Sequence, residues 1–180
     1  MGTTALIVVD MLNPYDHQDA EPLIESAERM VGPLADLVER ARGRPDVELI
    51  YVNDNHGDFA ATRQDIEEAA LRGRRPDLVR PVLPPPGSAF LAKVRHSAFY
   101  GTSLEYLLRR QEVETVILTG QVTEQCILYS ALDAYTRHFA IRVPHDCVAH
   151  IHADLSEAAL RMMERNMGAE IVAGKQCLEG

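Results

Sequence analysis

A series of short apolar runs, each ending abruptly at polar residues, constrains this chain more than any other feature of its sequence. Ala5-Leu6-Ile7-Val8-Val9 stops at Asp10, and Val47–Val52 gives way to Asn53-Asp54-Asn55-His56-Gly57-Asp58. Thr115–Thr119 runs into Gly120, while Phe139–Val143 and Ala169–Val172 are similar runs further on. Runs that are apolar throughout, instead of alternating with polar residues, suit strands buried on both faces. Between them lie segments with helical spacing. In residues 22–42 the side chains Ile24, Ala27, Val31, Leu34, Leu37 and Val38 share a face, with Gly32-Pro33 expected to kink or divide the helix. Further helices are expected near 62–71, from Thr102 to Arg110, from Cys126 to about Arg137, and from Asp154 to about Asn166. Thr102 is expected to cap its helix by accepting from the N–H of Glu105. Ala89–Lys93 reads as one more short strand. Strands alternating with helices imply an α/β fold, a parallel sheet covered on both sides, built as a single domain over residues 1–180.

Such a fold places function in advance. Ligands bind beyond the carboxyl ends of parallel strands, near the point where strand order reverses. Asp10, Asn53-Asp54, Lys93 and Gly120–Cys126 all follow strand ends, so they are expected to gather on one edge of the sheet. Cys126 opens a helix, where unpaired N–H groups and the helix dipole favour a thiolate over a thiol. An acid and a lysine brought beside that cysteine would make an activated nucleophile with a proton acceptor and a cation.

Bulk properties exclude several function classes. The chain has 27 acidic and 18 basic residues, a net charge of −9, which repels phosphate backbones; no nucleic-acid partner is expected. Three cysteines, at 126, 147 and 177, form no CxxC pair, so neither a disulfide framework nor a cysteine-rich zinc site is supported. No apolar run approaches the roughly 20 residues of a membrane span, and Met1 leads straight into a strand pattern without a secretory signal. A cytoplasmic location without membrane association is expected. The Gly168–Gln176 region has the wrong spacing for a phosphate loop, and no GxGxxG follows a strand, so no cofactor is implied. Asp54-Asn55-His56 offers two ligands to a divalent metal but no third, and no metal is expected there.

Four segments, in order, resemble the isochorismatase-like cysteine hydrolase superfamily over almost the whole chain. Leu6–Met11 is similar to its first strand with a catalytic aspartate, and Lys93–Leu104 to its K-x-x-x-S-A-F-x-x-T-x-L segment with the catalytic lysine. Leu118–Cys126 is similar to the G-x-x-T-x-x-C nucleophile loop, and Ala131–Ala134 with Val143–Asp146 to later family positions. The resemblance implies a Rossmann-like three-layer sandwich with six parallel strands, a homo-oligomer (dimer or tetramer), and a catalytic Asp10, Lys93 and Cys126. It also implies a cis Gln121–Val122 bond that aims the Val122 N–H, together with that of Cys126, at a developing oxyanion. The activity implied is hydrolysis of a C–N amide or lactam bond of a small molecule. Alternatives within the fold are vinyl-ether hydrolysis using Asp10 without Cys126, and a non-catalytic binding module. Two departures argue against nicotinamide as substrate: no second histidine completes a zinc site after Asp54-Asn55-His56, and Leu12 stands where glutamine is frequent in the family. Tyr15, Asn53, Phe99 and Tyr129 lie close enough in sequence to these positions to be expected as pocket residues.

Overall fold

A computed structural model describes residues 3–179, and its centre is a sheet in which every pairing is parallel. The strands are β1 (Thr3–Val9), β2 (Val47–Asp54), β3 (Ala89–Lys93), β4 (Val113–Gln121), β5 (Ala140–Pro144), β6 (Val148–Ala149) and β7 (Glu170–Val172). Their spatial order is β3-β2-β1-β4-β5-β7, with β6 paired to β4. The order runs one way from β1 and the other way from β4, so the reversal lies between these two central strands. Their last pair is Val9 opposite Gly120. The C-terminal ends of β1 and β4 therefore meet where a ligand crevice is expected.

The apolar runs are central because both of their faces are covered. Leu6 and Val8 pack with helix α1 (Ala20–Arg42), α2 (Arg63–Arg72) and the short α3 (Pro76–Val79) in one core. Ala5, Ile7 and Val9 point the other way, into a second core with α4 (Leu104–Arg110), α5 (Leu128–Thr136) and α6 (Ala153–Met167). The alternation of side chains across a strand divides one run between two cores, which makes three layers.

Helix α1 is continuous, contrary to the division expected at Gly32-Pro33. Proline removes a single ladder bond, whereas Met30, Leu34 and Leu37 on either side are buried against the sheet and hold both halves on one line. Thr102 does not cap through Glu105. Its Oγ1 accepts from Leu104 N at 3.2 Å and donates to Ala98 O at 2.6 Å, while Glu105 pairs with Arg137 at 2.7 Å. A two-residue strand, β6, adds to the six expected. It is too short to show periodicity, and it forms because β4 outlasts β5: the chain turns after Pro144 and returns against Gly120 and Gln121. The Gly120 N–H donates to Cys147 O at 2.9 Å within that return.

Candidate active site

Glycine at 120 is imposed by geometry. Its φ is +101°, and a Cβ there would lie 2.1 Å from the Val9 carbonyl oxygen of the neighbouring strand. The close approach of β1 and β4 puts Asp10 beside the loop that follows β4. That loop has a cis peptide at Gln121–Val122 and then a five-residue π-turn, Thr123–Ile127, before α5 begins. Cys126 thus sits in a widened turn and not in a regular first helical turn. The Val122 carbonyl accepts the N–H of Gln125 and of Ile127, each at 3.1 Å, and passes over that of Cys126. Such π-turns recur at functional sites.

Asp10 is fixed from several sides. Its φ is +54°, its N–H donates to Val52 O at 3.0 Å, and the Gln121 amide donates to its carbonyl at 2.8 Å. One carboxylate oxygen accepts the Asp54 N–H at 2.8 Å; the other lies 2.8 Å from Lys93 Nζ. Lys93 is the last residue of β3 and its side chain is 1% exposed. An ammonium carries three donors. Here its neighbours are Asp10, Asp54 Oδ2 at 3.6 Å and Cys126 Sγ at 3.9 Å. The three residues singled out from three strand ends are therefore in contact. Asp54, expected at this sheet edge and weighed there as a metal ligand, is a fourth member of this charge cluster.

Burial and the mutual charges of these groups shift their pKa values. It pushes the Asp10 carboxyl pKa up, and the Lys93 charge offsets only part of the rise. For Lys93, burial acts to lower the pKa, but the charges of Asp10, Cys126 and Asp54 prevail and it is raised. The Cys126 thiol is pushed up to about 12, first by burial and then by the negative charge of Asp10, against the opposing effects of Lys93 and the Val122 N–H. A helix start alone favours a thiolate, but desolvation together with a neighbouring carboxylate is the larger effect. These shifts favour a protonated thiol and a protonated lysine, and they raise the proton affinity of Asp10 beside them.

The expected pocket residues separate into support and surface. Tyr15 is fully buried, with its hydroxyl 3.2–3.3 Å from the Gln121 amide, and burial raises its phenol to about 12. It braces the end of β4. Asn53 is also buried, and its amide is consumed by Leu12, accepting its N–H at 2.9 Å and donating to its carbonyl at 3.1 Å. Phe99 is buried beside Phe139, with the Arg137 guanidinium 5.1 Å from its ring centre. Only Tyr129 is substantially exposed, and it meets the His96 ring edge-on at 5.5 Å. His96, which sequence reading passed over, lies at the surface with Nδ1 3.8 Å from Cys126 Sγ. Its place three residues after Lys93 was the available signal.

Two further features complete the surroundings. Asp54 Oδ1 accepts the His56 N–H at 2.8 Å, while the His56 ring reaches Leu12 O at 3.4 Å. The two side chains are thus engaged with different partners, and no three metal-binding side chains converge among the described residues. Glu124, within the turn that holds Cys126, accepts the N–H groups of Ile151 and His152 at 2.9 and 2.7 Å. It ties that turn to the start of α6.

Known proteins share sequence and fold with this chain. The Isochorismatase domain family model matches residues 4–176. An uncharacterised isochorismatase family protein of Bacillus subtilis, YaaI, is 36% identical over 175 residues, covering 97% of this chain and 96% of the relative. A maleamate amidohydrolase of Pseudomonas putida is 41% identical over 87 residues, which cover 48% of this chain and 41% of that enzyme. Among solved structures, N-carbamoylsarcosine amidase from Thermoplasma acidophilum superposes with a TM-score of 0.77 at 28% identity, covering 99% of each chain. With a family model spanning nearly the whole chain and a parallel sheet that carries its site at the central reversal, this chain belongs to the isochorismatase family of hydrolases.

Proposed function

We propose that the protein hydrolyses a C–N amide or lactam bond of a small molecule through a thioester on Cys126. The observation that carries this reading is the contact of Lys93 Nζ with both Asp10, at 2.8 Å, and Cys126 Sγ, at 3.9 Å. Amidohydrolase and amidase names among the relatives point the same way. Asp10 takes the thiol proton as sulfur attacks the substrate carbonyl, and the raised proton affinity of its buried carboxyl suits it to that task. Lys93 stays charged and stabilises whichever of the two neighbours is negative. The oxyanion is held by the N–H groups of Val122 and Cys126; loss of one such donor commonly costs about 2.7–4 kcal/mol in the transition state. Asp10 then protonates the leaving amine, and water releases the acid. No cofactor or metal enters any step. The reading includes a homo-oligomer, dimer or tetramer, to be checked by light scattering of purified protein.

The test is a panel of small amides and lactams screened for covalent mass increments on Cys126. A trapped acyl adduct is expected in the wild type, and Cys126→Ala should lose both adduct and turnover. Turnover that survives in Cys126→Ala yet disappears in Asp10→Asn would instead select vinyl-ether hydrolysis.

A further inference from the structure

The two helix layers of the sandwich have opposite outer surfaces. Among the described residues, six of the nine large apolar side chains that lie exposed sit on one layer: Tyr106 on α4, Tyr129, Leu132 and Tyr135 on α5, and Leu155 and Met162 on α6. The other layer, α1 to α3, exposes none. Within α5 the three recur at every third position, which keeps them on one outward face, while Ser130, Ala131 and Ala134 turn inward. Leu155 and Met162 are about two turns of α6 apart and share a face as well. Arg137, at the end of α5, pairs with Glu105 of α4 at 2.7 Å, and α6 packs against α5, so the apolar groups are carried by adjoining helices. A grouped apolar surface of this kind marks an interaction site, whereas scattered single residues do not.

Charge decides what can cover it. The chain carries a net charge of −9, so two copies repel wherever their acidic faces meet. Helices α1 to α3 hold nine acids against five bases; α4 to α6 hold five against four. Asp133, the one charged residue of α5, is already paired with Arg137 at 2.6 Å. A twofold contact sets a patch against itself and needs a patch that does not repel itself, which α5 supplies. A basic partner steered by charge would favour the α1 layer instead. Aromatic residues with charge depleted are also the composition of an interface core. We propose that a second copy of this chain packs on this layer, α5 against α5 about a twofold axis, and that the seam borders the approach to Cys126. This rests on the homo-oligomer reading above and adds the face to it. The seam reaches the site through Tyr129, whose ring meets His96, with His96 Nδ1 3.8 Å from Sγ.

The test is sedimentation equilibrium of the wild type, Leu132→Glu, Tyr135→Glu and, on the opposite layer, Glu25→Lys. Leu132 and Tyr135 are half exposed, so circular dichroism and urea unfolding should show both variants folded. Each should halve the mass of the wild-type oligomer, and Glu25→Lys should leave it unchanged. Leu132→Cys keeps the patch apolar and should form a disulfide between copies in oxidised glutathione; Glu28→Cys, on α1, should not. The native cysteines are buried and do not compete. Iodoacetamide should also reach Cys126 several-fold faster once the copies part. A wild type that is monomeric throughout a dilution series defeats the homo-oligomer reading, and this inference with it. An oligomer that both glutamate variants leave intact overturns the assigned face alone, as does Leu132→Cys that fails to cross-link. An unchanged alkylation rate in dissociated variants overturns the placement of the seam beside the sulfur.

Discussion

Lys93 Nζ and Asp10 Oδ2 lie 2.8 Å apart, joined across the ends of two strands that do not pair with each other. Strand β2 separates β1 from β3, so the two side chains meet across its C-terminal end. Both are largely out of water, which makes each the other's main source of charge stabilisation. Removing one member of a buried pair leaves the other uncompensated and typically costs about 3–5 kcal/mol. Lys93→Met is therefore expected to lower unfolding stability by about that amount in urea titration, and to abolish turnover. A variant as stable as the wild type would show that the pair is not the anchor of this site.

Cys126 should behave as a reluctant thiol. With its pKa pushed up to about 12, its iodoacetamide alkylation rate should keep climbing well beyond pH 9, where an ordinary thiol levels off. The same shift sets a stability trend. The folded-state pKa exceeds the unfolded one, so the contribution is complete below about pH 9 and is lost as pH rises toward 12. Wild type should lose stability over that interval more steeply than Cys126→Ala. An alkylation plateau below pH 7 contradicts this account.

Tyr15 and Tyr129 should separate cleanly in kinetics. Tyr15→Phe removes a hydroxyl bonded to Gln121, and about 1 kcal/mol of stability should go with it. KM should stay unchanged, because the ring is enclosed in the core. Tyr129→Ala, at the surface beside His96, should leave stability nearly intact but alter KM.

Gly120→Ala should be among the most damaging single changes. The added Cβ would meet the Val9 backbone at 2.1 Å, with φ in the left-handed region. A loss of about 4 kcal/mol or more is expected, which differential scanning calorimetry would detect as a large fall in Tm.

Glu124→Ala should destabilise by about 2–4 kcal/mol. It frees two N–H groups, of Ile151 and His152, from a charged acceptor. Faster hydrogen exchange confined to residues 123–127 and 149–153 would locate the effect; unchanged exchange there would refute it.

Much of the fold was legible along the chain because strand and helix are largely decided by local pattern. Ala89–Lys93 matched the structure residue for residue, and the strand-end rule gathered Asp10, Lys93 and Cys126 before any coordinates were needed. The missed features each depended on neighbours remote in sequence. β6 exists only because β4 offers it an unpaired edge, and α1 stays continuous only because the sheet holds both sides of Pro33.

The site divides along the same line. Sequence by itself singled out the groups that the proposed chemistry uses: a carboxylate, an ammonium and a thiol, each at or beyond the end of a strand. Tertiary structure alone decided their state and company. The thiol pKa is raised because burial and Asp10 together outweigh Lys93 and the Val122 N–H. Tyr15 is a brace because its hydroxyl found Gln121, 106 residues away. His96 reaches the sulfur because the turn after β3 folds over α5. Desolvation and short-range contact depend on what surrounds a group in space, and that is not written in its neighbours along the chain.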